Sequence, residues 1–273
     1  MLLSNECYLK GRCYKHLSNI SNKYNICTLP KKDVRTGVEV RFDAHDMNTL
    51  SEHLNDDGLE CNDTAHFCPR LFKIDWLYNE ALLTPKQRHH MELWLDASEA
   101  DKTAYIYLSG IERGIEKFVD EGKNLFLYSA NTGNGKTEWS LRLLRRYIDR
   151  IWHKSDLSCR ALFVNVPRFL LAVKNNITNN DEYAVHIMKN ILTADLVVFD
   201  EVATKSLTTF EHEHILSYIN ARLDMGKSNI YTSNLSGEEL RKRVGDRLYS
   251  RIVTASKTLE FVESDKRALG VTE

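Results

Sequence analysis

The sequence predicts an α/β protein, a parallel sheet with helices on both faces, preceded by a small cysteine-rich helical region. Three observations predict it. From residue 124 onward short apolar strands alternate with helical stretches, a phosphate-type loop stands between the first strand and its helix, and five of the six cysteines fall in the first 68 residues. Composition sets the frame: 273 residues, 42% hydrophobic and 27% charged, with 37 Lys+Arg against 38 Asp+Glu and a net charge of −1. These values exclude disorder, collagen-like repeats and a disulfide mini-scaffold, and the length allows one large domain or two smaller ones. Near-neutral charge argues against a generally basic nucleic-acid coat. No apolar run approaches the roughly 18–20 residues of a membrane span, and Met1–Cys7 lacks the basic and apolar regions of a signal peptide, so a cytoplasmic protein is expected.

Residues 1–95 are read as an N-terminal domain and 96–273 as the sheet domain. From Lys31 to Asn62 the chain is polar, carries Gly37 and Asp56-Asp57-Gly58, and alternates like a strand only at Val38–Phe42, which marks 31–60 as an insertion or mobile loop. From Pro69 apolar residues recur at helical spacing until Thr84-Pro85 stops them. Residues 98–121 form an amphipathic helix with Tyr105, Leu108, Ile111, Ile115 and Phe118 on one face.

The sheet pattern follows. Strands are expected at Asn124–Ser129, Ala161–Val166, Leu196–Phe199 and Asn229–Ser233, with helices at 137–152, 168–192 and 207–225 between them. Ser236-Gly-Glu-Glu239 reads as a capping box opening a last helix with Leu240, Val244, Leu248 and Ile252 four apart.

The chemistry centres on Ala130-Asn131-Thr132-Gly133-Asn134-Gly135-Lys136-Thr137, a P-loop pattern with alanine at the first glycine position. Such a loop turns successive backbone N–H groups onto phosphate oxygens at a helix N-terminus, which requires glycines free to take positive φ. Gly133 and Gly135 supply that freedom, Lys136 reaches the β and γ phosphates, and the Thr137 hydroxyl ligates Mg²⁺. About sixty residues on, strand Leu196–Phe199 ends in Asp200-Glu201, facing the crevice beyond the strand ends. Asp200 is placed for the Mg²⁺ shell and Glu201 for the attacking water. Thr232-Ser233-Asn234 puts a third polar strand end at the same edge, with Asn234 as the candidate γ-phosphate sensor. In the last helix Arg247 and Arg251 lie four apart on one face; Arg251 is the candidate finger into a neighbouring subunit's site and Arg247 its support, the alternative being a solvated face.

In their order these segments, Ser129–Thr137, Leu196–Glu201, Tyr231–Asn234 and Gly245–Ile252, resemble the Walker A, Walker B, sensor 1 and arginine-finger segments of the AAA+ ATPases of the DnaC/DnaI helicase-loader type, particularly phage-encoded ones. The resemblance covers residues 98–265. It implies an AAA+ P-loop NTPase core without a C-terminal lid, since few residues follow the strand-like Thr258–Phe261. It further implies ATP and Mg²⁺ as cofactors, ATP hydrolysis, single-stranded DNA and a hexameric DnaB-type replicative helicase as partners in DNA replication, and self-assembly on ATP or DNA. Two other readings stand beside it: a transposition helper ATPase of the IstB type, and a nucleotide-binding adaptor or helicase inhibitor with weak ATPase.

Clustered cysteines in a cytosolic chain point to metal rather than disulfides. Cys7-x5-Cys13 and Cys61-x6-Cys68 supply four thiolates for a structural Zn²⁺, with His16, Cys27 and His66 as competing ligands. The loader resemblance similarly implies a zinc-bearing N-terminal module that grips the helicase. For DNA, Arg142, Arg145, Arg146 and Arg150 share a helix face that either tracks a phosphate backbone or is simply solvated, and the segment Pro167, Arg168, Phe169 and Lys174 is the rival. His212-Glu213-His214 reads as surface and Trp139 as packing.

Overall fold

The computed structural model describes residues 2–3, 26–27, 69–88, 99–152, 155–179, 181–203 and 206–262. The chain divides into two compact units, 1–76 with 152–155, and 77–151 with 156–273. In the first, strands Leu2–Leu3 (β1) and Ile26–Cys27 (β2) pair antiparallel, Leu2 opposite Cys27. The expected strand at 38–42 and the insertion at 31–60 lie outside the described residues.

The second unit carries the sheet. Its strands are Asn124–Tyr128 (β3), Ala161–Asn165 (β4), Leu196–Asp200 (β5), Ser228–Ser233 (β6) and Lys257–Glu260 (β7). They stand in the order β4-β5-β6-β3-β7, and every pairing is parallel. Strands β3 to β6 are runs buried on both faces, as a parallel sheet covered by helices requires. Because β6 lies between β3 and β5, the chain leaving β3 crosses to the far edge before returning, and the crevice opens at that switch point.

The helices are Pro69–Glu80 (α1), Pro85–Arg88 (α2), Glu99–Arg113 (α3), Ile115–Asp120 (α4), Lys136–Ile151 (α5), Val166–Asn179 (α6), Glu182–Asn190 (α7), Thr209–Asp224 (α8) and Gly237–Tyr249 (α9), followed by a π-helical turn Ser250–Thr254. Alternation along the strands sorts the core. Val197 and Phe199 of β5, with Leu162, Val164 and Tyr231, pack in one cluster with Phe169, Ile187, Ile215 and Ile219 from α6, α7 and α8. Helix α5 packs against β4, β5 and β6 and buries Trp139, Leu143, Leu144 and Ile148.

Three expectations about helix ends change. The helix expected at 98–121 breaks between Arg113 and Ile115, and that at 168–192 becomes α6 and α7, the latter capped by Asp181, which accepts the Ala184 N–H at 3.1 Å. Ser236 is the N-cap of α9 but makes no side-chain capping bond; the capping box is Thr208 with Glu211, at the start of α8. Glu211 is drawn there because its buried carboxylate also meets Lys174 Nζ at 2.9 Å.

At the opposite end of the strands from the crevice, buried charge fixes the turns. Arg222 is fully buried and donates to the Ile191, Ala194 and Ser228 carbonyls and to Asn229 Oδ1, at 2.6–2.8 Å. Burial pulls its guanidinium down to about 10. Asp195 accepts from Arg160 Nε at 2.6 Å, Lys227 Nζ at 2.8 Å and Tyr147 Oη at 3.0 Å. Gly122, at φ +62°, turns the chain into β3 so tightly that an added Cβ would stand 2.3 Å from the Gly226 carbonyl oxygen.

Candidate nucleotide site

Strand β3 ends at Tyr128, and the chain from Ser129 to Gly135 forms an irregular loop whose last residue leads straight into α5. Gly133 and Gly135 both take positive φ, +72° and +97°, as a loop that converges its N–H groups requires; Ala130, exposed on the first turn, does not. The Trp139 N–H closes the first helical turn on Gly135 O at 2.8 Å. Lys136 is buried, and its Nζ donates to Asn131 O at 3.0 Å and Asn134 Oδ1 at 2.9 Å. Residues 130–137 therefore form one continuous loop that enters a helix N-terminus, with the Lys136 ammonium bonded back onto the loop.

Across the crevice, Asp200 ends β5. One of its carboxylate oxygens, Oδ1, accepts from the Thr137 hydroxyl at 2.9 Å and from the Thr232 hydroxyl at 2.7 Å. The loop helix, β5 and β6 thus meet at a single oxygen atom. Burial raises the Asp200 carboxyl and the neighbouring Glu201 charge adds to this, while the two hydroxyls and Lys136 pull it back; the net direction is up. A hydroxyl and a carboxylate in contact are the hard oxygen donors that suit Mg²⁺, which otherwise relies on phosphate and water. Among the described residues no three His, Cys, Asp or Glu side chains converge as a metal cage.

Glu201 stands at φ +60°, a left-handed conformation that costs energy for a side chain with a Cβ and that clusters at functional sites. Its N–H donates to Thr232 Oγ1 at 3.0 Å, the Val202 N–H to Thr232 O at 3.0 Å, and its carboxylate accepts from Asn165 Nδ2 at 3.2 Å. Thr232 therefore organises both acids, and Asn165 aims the second. Neither role is legible in the sequence, where Asn165 is only a strand end; the pairing of Asn165 with Asp200 in the β4–β5 ladder creates it. Asn234 lies just beyond β6, half-buried, and Thr232 rather than Asn234 touches Asp200.

The side chains of Arg247 and Arg251 are both exposed and make no hydrogen bond or ion pair among the described residues, although the Arg247 carbonyl accepts the Ser250 N–H. They follow a kink at Gly245, φ +77°, and Arg251 sits in the π-helical turn. The zinc candidates Cys7, Cys13, Cys61 and Cys68, with His16 and His66, lie outside the described residues, and Cys27 is described only as part of β2.

Two of the four arginines of the α5 face are engaged within the protein, while Arg146 and Arg150 are half-buried. Arg145 is fully buried, ion-paired with Glu138 and donating to Gln87 O at 2.6 Å, and Arg142 pairs with Glu112 at 2.9 Å beside the Trp139 ring. Of the rival segment, Phe169 is core, Lys174 is held by Glu211, and Arg168 stacks 4.0 Å from the Tyr183 ring centroid. Trp139 is fully buried, and the His214 ring packs 4.4 Å from Phe210.

No family model matches the sequence, and no curated protein matches it. Among solved structures, the fold is similar to that of DnaI (18% identity, TM-score 0.52, 70% of this chain and 100% of that one). It is similar also to the replication initiator DnaA bound to AMPPCP and single-stranded DNA (19% identity, TM-score 0.51, 65% of this chain and 50% of that one). The sheet unit has the AAA+ P-loop NTPase fold. Among the described residues no helix is long and apolar enough to cross a membrane.

Proposed function

We propose that this protein is an ATP-dependent loader of a replicative helicase, an AAA+ ATPase acting in DNA replication. The observation that carries the ATPase reading is the meeting of Thr137, Thr232 and Asp200 beside a cradle whose lysine opens a helix. In this reading the N–H groups of residues 130–137 hold the triphosphate, Lys136 neutralises its β and γ oxygens, and Thr137 with Asp200 would hold Mg²⁺. Bound there, Mg²⁺ draws charge from the phosphate oxygens. Glu201, steered by Asn165, takes a proton from water as the water oxygen bonds to the γ-phosphorus, and the β–γ bridging oxygen leaves with the bond's electron pair. Asn234 senses the γ-phosphate from beyond β6. Arg251, supported by Arg247, reaches the site of a neighbouring copy; both guanidinia are exposed and unengaged among the described residues, as a finger acting between subunits requires.

The loader reading draws on the motif order and on the fold shared with DnaI, and DnaA bound to single-stranded DNA supports DNA as a second partner. Residues 1–95 form the helicase-gripping domain, with Zn²⁺ on Cys7, Cys13, Cys61 and Cys68 as its staple. Native mass spectrometry without zinc would remove the staple. The functional test is co-purification with a hexameric DnaB-type helicase, with and without ATP. The loader reading expects ATP-sensitive capture through residues 1–95; no capture in either state points to the transposition helper or the adaptor instead.

A further inference from the structure

The two asparagines of the phosphate loop are joined to the end of the last strand. Asn131 Nδ2 donates to Val262 O at 3.1 Å, and Asn134 Nδ2 donates to Phe261 O at 3.4 Å and to Ser129 Oγ. The other end of the Asn134 amide, Oδ1, accepts from Lys136 Nζ. Asn134 is only 1% exposed, so its amide is a buried bridge between the phosphate-binding lysine and the strand end. Val262 is stapled from its other side as well, its N–H donating to Asp101 Oδ1 at 2.7 Å. Asp101 is fully buried and its second oxygen has no partner among the described residues, so the bond to Val262 is what ties this carboxylate to the strand end.

We propose that Asn134 is a positioning residue that couples nucleotide occupancy of the loop to release of the strand end Phe261–Val262. The proposal rests on the reading of residues 130–137 as a triphosphate cradle. Phosphate oxygens that take the Lys136 ammonium remove the donor from Asn134 Oδ1. A buried amide oxygen left without a donor is costly, so the side chain turns to recover one, and Nδ2 leaves Ser129 and Phe261. Linkage makes the effect reciprocal: whatever loosens the strand end favours the nucleotide-bound loop, by the factor with which nucleotide loosens the strand.

The test is hydrogen exchange of the full chain, followed on the peptide spanning 257–262 with and without AMPPCP and Mg²⁺, beside calorimetry of the same samples. Nucleotide is expected to speed exchange of the Phe261 and Val262 amides about five-fold, the effect of losing one hydrogen bond. Asn131→Ala, at an exposed position, should exchange fast without nucleotide and bind it about five-fold more tightly. Asp101→Ala should do the same from outside the loop, whereas Asp101→Asn, which keeps an acceptor, should behave as the wild type. Binding heat with unchanged exchange overturns the coupling and leaves the cradle standing. Absence of binding heat overturns the cradle and the coupling with it.

Discussion

Replacing Thr232 with valine removes one hydroxyl at constant shape, taking one of the two donors from Asp200 Oδ1 and the acceptor of the Glu201 N–H. The hydroxyl donates to Asp200 Oδ1 at 2.7 Å and accepts the Glu201 N–H at 3.0 Å, and Thr232 and Asp200 are both buried. A hydrogen bond to a charged group contributes about 1.5–3 kcal/mol and an unsatisfied buried donor costs about 1–3 kcal/mol, so a loss of about 2.5–6 kcal/mol is expected. In a unit of this size, at about 2–4 °C per kcal/mol, that lowers Tm by about 5–24 °C. The loss depends on pH. The folded state raises the Asp200 carboxyl, chiefly by burial, so Asp200 carries a penalty that is absent below the unfolded carboxylate value and complete above the folded one. Thr232 lowers that carboxyl; without it the penalty deepens. The gap between wild type and Thr232→Val should therefore be widest at neutral pH and shrink as the solution is acidified through the folded value. Thermal melts of wild type, Thr232→Val and Thr232→Ser across pH 4–8 measure it, with serine restoring most of the stability. A gap that is independent of pH, or smaller than about 0.5 kcal/mol at pH 7, would mean that Thr232 does not hold the Asp200 carboxylate.

Three further outcomes are expected. Gly122→Ala forces a Cβ to within 2.3 Å of a backbone oxygen at φ +62° and should cost more than about 2 kcal/mol in denaturant melts; a neutral effect means the turn against Gly226 is wrong. Burial opposes ionisation of Asp195, but its bonds to Lys227 and Arg160 outweigh this and hold the carboxyl below its ordinary value. Its stabilisation is thus present above the unfolded value and lost as pH falls through the folded one, so Asp195→Asn should lose roughly 1–2 kcal/mol at pH 7 and nothing in strong acid. Arg251→Ala should lower ATP turnover at least ten-fold with nucleotide affinity retained, as for loss of a finger contact, and mixing it with Lys136→Ala should restore part of the activity; a mixture with no recovery excludes action between subunits.

The sheet is legible in the sequence because its strands are continuous apolar runs bounded by polar turns, and a run such as Leu196–Phe199 has no other stable use between two helices. The loop is legible because two glycines beside Lys-Thr have one common physical purpose, and their positive φ values meet it. What sequence spacing does not convey is partnership at a distance. The four arginines of α5 share a helical face, yet Gln87, fifty-eight residues away, and Glu138 take Arg145 into the interior. Ser236 has the capping-box pattern, but its side chain makes no capping bond, while the less conspicuous Thr208 forms both. Thr232 and Asn165 gain their roles only from register, because β6 and β4 flank β5 and bring their ends to its two acids.

In the proposed mechanism residues 130–137 and the acids at the end of β5, Asp200 and Glu201, form one triphosphate-cleaving site. The decisive experiment is titration of ATP and Mg²⁺ into wild type, Lys136→Ala and Glu201→Gln, with phosphate release followed in the same samples. The wild type should bind with turnover, Glu201→Gln should bind without turnover, and Lys136→Ala should not bind. Equal heats from wild type and Lys136→Ala, or undiminished phosphate release by Glu201→Gln, would contradict this mechanism.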